Sequence, residues 1–183
     1  LRNPLAEPGI IGVSGCAALG SVIVFYSGLT GIISIALPLG GMAGAAISVL
    51  LLGLLAGYKS SVMTIILAGV AITSLAGSLT SLVLSLAPNP FATFEIFFWL
   101  LGSLADRSFE HVQLIIFPLI VGIGLLLTTG RALDALTLGE DVASTLGFNL
   151  QRIKWTIVIG ISLAVGVAVS VSGIIGFVGL VVP

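Results

Sequence analysis

Charge is scarce in this 183-residue chain: six Lys or Arg, seven Asp or Glu, and one His, so that 7% of residues are charged against about 25% in ordinary soluble domains. No Asp, Glu, Lys or Arg occurs in residues 8–58, 60–94, 112–130 or 155–183. A soluble domain of this length cannot wrap so much apolar chain in a polar surface. A single cysteine, Cys16, excludes an internal disulfide and a Cys-based metal cluster. The lone His111 has no second His or Cys near it to share a metal, which wants three or four donors. With a net charge of −1 and no basic patch, the chain offers nucleic acid nothing to bind.

What is present is hydrophobic. Apolar residues make up 58%, the mean hydropathy is +1.31, and glycine occurs 24 times. A bilayer core about 30 Å thick takes roughly 20 apolar residues per helix. The runs divide into five spans at about 9–27, 32–57, 62–87, 112–130 and 154–172. The first ends at the Gly28–Gly31 turn, the second at Gly57–Ser61, and the third at Pro88-Asn89-Pro90. A last apolar stretch from Gly173 to Pro183 is short and reads as the start of a returning element. The expectation is an all-α, polytopic transmembrane bundle, with 1–183 a single transmembrane domain. The missing initiator Met and the apolar end suggest an internal piece of a longer chain.

Five spans put the connecting loops alternately on two sides. Arg2, Lys59, Arg131, Arg152 and Lys154 share one side and Arg107 stands on the other. Lys and Arg in short loops favour the cytoplasm, so the 131–153 loop is expected inside and 88–111 outside. Within the spans, small residues recur every four positions: Gly12/Cys16/Gly20, Gly40/Gly44/Ser48 and Gly69/Thr73/Gly77/Ser81. Residues four apart share a helix face, and such rows let neighbouring backbones approach closely. Packing inside the subunit is one reading of the rows; a pore or subunit interface is the other. Pro38 and Pro118 are expected to kink the second and fourth spans.

No ionisable side chain lies in the middle of a span. An ion-coupled carrier normally places one there, and an intramembrane enzyme needs a catalytic constellation, so neither catalytic nor cofactor-binding residues are expected. Two loops carry more information. The outer one is rich in Phe, with Trp99 and then Asp106, Arg107 and Glu110, and suits a short interfacial helix or a docking point. The inner one contains Glu140, Ala143, Leu146 and Gly147; Ala143 and Leu146 fall on one face of a short helix that Gly147 can cap. Such an amphipathic helix suits insertion into a groove on a partner, or simply the membrane interface.

Three stretches resemble the permease family of ABC importers for ferric siderophores, haem and vitamin B12. They are Asn3-Pro4-Leu5-Ala6-Glu7-Pro8-Gly9 with Ile10 to Ser14, Leu138-Gly139-Glu140 with Ala143 and Leu146-Gly147, and Ser172-Gly173 with Ile174 through Pro183. Leu67-Ala68-Gly69-Val70 and Trp99-Leu100-Leu101-Gly102-Ser103 add weaker matches. The resemblance implies helices three to seven of a ten-helix subunit, lacking both ends. It implies a bacterial plasma-membrane transport subunit carrying an iron-siderophore, haem or corrinoid inward. Its partners would be a second permease subunit, cytoplasmic ABC ATPases that hydrolyse the ATP, and an extracytoplasmic substrate-binding protein. Gly139, Glu140, Ala143, Leu146 and Gly147 would form the ATPase-coupling loop, and Ser61, Val62, Met63 and Thr64 the cytoplasmic gate. Arg107 and Glu110 are the residues such a binding protein would meet here. An ion-coupled secondary transporter is the alternative.

Overall fold

The computed structural model describes residues 8–33, 35–87, 90–105 and 107–176, and their regular structure is entirely helical. The opening residues Asn3–Glu7, Arg2, Pro88-Asn89, Asp106 and the closing Phe177–Pro183 lie outside that set. A 3-10 turn, Pro8–Ile11, leads through Gly12 into α1 (Val13–Tyr26). A second 3-10 turn, Leu29–Gly31, precedes α2 (Ala36–Ala56). Then come α3 (Val62–Ser85), α4 (Pro90–Leu100) and α5 (Phe109–Thr128). The chain finishes with the short α6 (Gly130–Leu136) and α7 (Glu140–Thr145), and the long α8 (Leu150–Ser172).

Of these, α2, α3, α5 and α8 are long and apolar enough to cross a bilayer. The first expected span divides differently. Gly12, at φ +87°, turns the chain between the 3-10 turn and a 14-residue α1, a backbone conformation that glycine adopts without steric cost. Pro38 also differs from expectation: it is the third residue of α2, where the first-turn N–H has no helical partner to lose. Its missing donor therefore costs little, and the interior position belongs to Pro118 in α5.

Helix α1 is the axis of the bundle, packed by α2, α3 and α8. Val13, Ala17, Ser21 and Val22 are fully buried on it. Two of the small-residue rows interlock here. A Cβ on Gly20 would overlap the Gly40 carbonyl, and one on Gly44 would overlap the carbonyl of Cys16. In lipid, apolar side chains gain nothing by leaving hydrocarbon, so this close backbone contact is what holds helix to helix. Gly41 meets Ser170 and Gly166 meets Ala45, which seats α8 on α2. Outermost lies α5, held to α8 through Gly122 and Gly160 and exposing Ile116, Phe117, Ile120 and Leu127.

The third row behaves otherwise. Gly69 packs on the backbone of Ile10 and Ile11, but nothing lies within 4 Å of a Cβ on Gly77. Thr73 and Ser81 are exposed. Packing within this chain explains Gly69, reaches Thr73 where Gly15 of α1 approaches it, and leaves Gly77 open.

Cross-links sort the helix ends into two groups. At the basic end, near Lys59, Arg131, Arg152 and Lys154, the Trp155 indole donates to the Tyr58 carbonyl at 3.1 Å. At the aromatic end the Tyr26 hydroxyl donates to the Leu86 carbonyl at 2.8 Å, and the Ser103 N–H to the Ser172 carbonyl at 2.7 Å.

Candidate functional site

The basic end brings together the residues expected to form a coupling loop and those expected to form a gate. Gly139 (φ +109°) sets the entry to α7, whose first turn holds Glu140 and Asp141. Carboxylates there face the positive end of the helix dipole, worth about 0.3–1 kcal/mol each. The exit is a Schellman closure: the Phe148 N–H donates to Ala143 O at 3.2 Å and the Gly147 N–H to Ser144 O at 3.0 Å, with Gly147 at φ +88°. The six-residue helix is thus closed at its C-terminus by hydrogen bonds and favoured at its N-terminus by charge alone.

Its faces are not arranged as expected. Ala143 is fully buried, while Leu146 is 60% exposed. Ala143 turns into the chain because α7 lies on α6 and α8, and Leu146, in the C-cap position, faces away. The outward apolar surface is Leu146 with Val142 one turn earlier and Leu138 on the preceding turn, all exposed. Sequence reading missed Val142 and named Leu138 only as part of the Leu138-Gly139-Glu140 stretch. Lys154 on α8 reaches the Glu140 carboxylate at 3.7 Å.

Ser61 to Thr64, expected at the gate, form the N-cap and first turn of α3. Ser61 Oγ accepts from the Thr64 N–H at 3.1 Å and lies 2.9 Å from Thr64 Oγ1. This fixes the first turn of α3 and leaves Val62 and Met63 exposed. Helical spacing then places Met63, Leu67, Val70, Ser74, Ser78, Ser81 and Ser85 on one face, every one of them exposed. Its inner half is apolar and its outer half carries hydroxyls. Each of those hydroxyls donates to the carbonyl four residues back, at 2.9–3.1 Å.

At the aromatic end, α4 lies against α1 and α3 with Ile96 buried and Phe91, Phe94, Phe97 and Phe98 exposed. Arg107 and Glu110 are not brought together. Glu110 is exposed in the first turn of α5, whereas Arg107 lines a cavity of about 190 Å³ with Thr30, Trp99, His111 and Ser170. Arg107 Nε donates to Ser103 O at 3.3 Å. His111 completes a capping box with Ser108, whose N–H donates to His111 Nδ1 at 3.2 Å. Nδ1 therefore carries no proton in the neutral ring, and Nε2 does. Among the described residues, no three of His, Cys, Asp and Glu are grouped to hold a metal ion.

These features can be set against known proteins. The model of the FecCD transport family matches residues 1–183. An uncharacterized ABC transporter permease of Bacillus subtilis is 40% identical over all of this chain and 53% of its own length. The vitamin B12 import permease of Vibrio vulnificus is 34% identical over all of this chain and 55% of its own. A solved ABC transporter assigned to the metal-chelate type, in an inward-facing conformation, superposes with a TM-score of 0.83 at 29% identity, covering the whole chain and 58% of that structure. The chain spans about half the length of the curated relatives it matches.

Proposed function

The chain belongs to the FecCD transport family, and from that premise we propose that it is the membrane-spanning core of an ABC importer permease, carrying a bulky iron-siderophore, haem or corrinoid inward. A separate ATPase subunit drives the cycle, a second permease subunit completes the pathway, and an extracytoplasmic binding protein delivers the cargo at the aromatic end. The basic end faces the cytoplasm, in keeping with its Lys and Arg. Residence is in a bacterial plasma membrane.

One observation carries this reading: the unpartnered face of α3. A helix facing lipid gains nothing from a run of Ser74, Ser78, Ser81 and Ser85, and no described residue covers Gly77. A face lining a pathway explains both. Met63 stands at the basic end of that same face, where the α3 cap holds it, so Val62 and Met63 are placed to close the pathway toward the cytoplasm. The exposed Leu138, Val142 and Leu146 form the surface that enters a groove on the ATPase. Arg107 sits where the binding protein docks, with Glu110 at the rim.

Uptake tests the reading. The full-length subunit, reconstituted with its ATPase and binding protein, accumulates one of three probes (cyanocobalamin, haem or a ferric hydroxamate) when ATP is supplied, and still does so with ionophores present. Accumulation driven by an ion gradient without ATP overturns it.

A further inference from the structure

The turn between α2 and α3 decides where Val62 and Met63 stand, and a side chain from far along the sequence holds it. Trp155, in the second turn of α8, donates Nε1–H to the main-chain carbonyl of Tyr58 at 3.1 Å. Its ring also lies parallel to that of Tyr58, with centroids 6.4 Å apart and planes 5° apart. The indole packs beside the apolar cluster that includes Leu52 of α2, Ile65 and Ala68 of α3, and Val158 of α8. A hydrogen bond to a main-chain oxygen is directional, and a parallel stack fixes the plane of the ring. Together they resist both sliding and tilting of the turn relative to α8. The residue before it, Lys154, reaches Glu140 of α7 at 3.7 Å, with its own side chain 16% exposed. Two consecutive residues of α8, about 100° apart around its axis, thus grip the docking helix on one side and the gate turn on the other.

We propose that Trp155 is a positioning residue that passes displacement of α7 to the turn at Tyr58 and so to Val62 and Met63. This rests on the reading that α7 meets the ATPase. When α7 moves on its partner, the α7–α8 corner moves with it through Lys154. Trp155 then carries the Tyr58 turn along, rather than letting it slip over the end of α8. Leucine at position 155 would fill much of the space against the apolar cluster but would offer neither the donor nor the stacking plane.

The test uses the full-length complex in proteoliposomes and reads cargo moved per ATP hydrolysed, alongside retention of the ATPase on purification. Trp155→Leu and Tyr58→Leu are expected to keep the ATPase bound and hydrolysing while the ratio falls about tenfold, within the usual range of a coupling between sites. Trp155→Phe, which keeps a ring and loses the donor, falls less. If Trp155→Leu does not assemble, Tyr58→Leu decides, because the Tyr58 side chain is 58% exposed and its loss leaves the apolar cluster intact. A wild-type ratio in Tyr58→Leu and Trp155→Phe overturns the proposal, as does a fall that only tracks loss of the ATPase. Failure of the wild-type complex to couple uptake to ATP overturns the transport reading instead.

Discussion

Gly44 and Gly77 are both glycines in four-residue rows on long apolar helices, and the structure predicts opposite outcomes when each becomes alanine. In an isolated helix the change to Ala is favourable by about 1 kcal/mol, a gain common to both positions. At Gly44 the new Cβ overlaps the Cys16 carbonyl and comes within 3.2 Å of the Ala17 Cα. Those atoms belong to the backbone of α1, which is itself clamped by α3 and α8, so the strain cannot be relieved by turning a side chain. Overpacking of this kind costs about 1–3 kcal/mol, and an unyielding backbone puts the cost near the upper figure. At Gly77 the Cβ meets nothing within 4 Å and there is no such cost. The two variants should therefore differ by about 3 kcal/mol, or about 6–12 °C in melting temperature for a domain of this size. Thermal unfolding in detergent, followed by loss of the monodisperse elution peak, measures the difference. Equal melting temperatures would refute the assignment of Gly44 to the α1–α2 contact and Gly77 to an open face.

Leu146→Asp places a charge on the exposed apolar surface of α7 and should release the ATPase during co-purification; Ala143→Leu, at a fully buried site, should instead lower stability by about 1–3 kcal/mol, and the reverse pattern would mean the faces of α7 are misassigned. Single cysteines replacing Lys59 and Ser108 in a Cys16→Ser background should react with an impermeant thiol reagent from opposite sides of the membrane, and labelling of both on intact cells contradicts the orientation. Replacing Val62 and Met63 with Ala should raise ATP-independent leak of cargo from loaded proteoliposomes, whereas unchanged leak with normal assembly puts the closure elsewhere. Tyr26→Phe removes the bond to the Leu86 carbonyl and should cost about 0.5–1.5 kcal/mol, read as a small fall in melting temperature.

The helical, membrane-crossing character of the chain was legible because it depends on local quantities, namely run length and the position of rare charges. The ends of α7 were legible for the same reason, since the Glu140 charge and the Gly147 C-cap act within one turn of themselves. Its faces were not. Ala143 is buried by α6, which the sequence presents as part of a polar loop, and Leu138 is separated from Val142 by a residue at φ +109° that breaks any helical count. The rows at Gly40/Gly44 and Gly69/Gly77 have the same spacing, so periodicity alone could not say which one a neighbour would meet. Trp155 and Tyr58 stand 97 positions apart, beyond the reach of any pattern in the sequence.

The hydroxyls of α3 have a kinetic consequence. Ser74, Ser78, Ser81 and Ser85 each commit their proton to a carbonyl of their own helix, leaving only outward lone pairs. A cargo moving past such a wall finds no free donor and no charge to hold it. A sticking point 1.4 kcal/mol deep slows escape about tenfold, so a wall without deep wells keeps residence short at every step. On the proposed reading, in which α3 lines the pathway, such a surface is smooth rather than selective: it would let large, chemically unlike molecules travel at similar speed and leave discrimination among them to whatever presents them at the mouth.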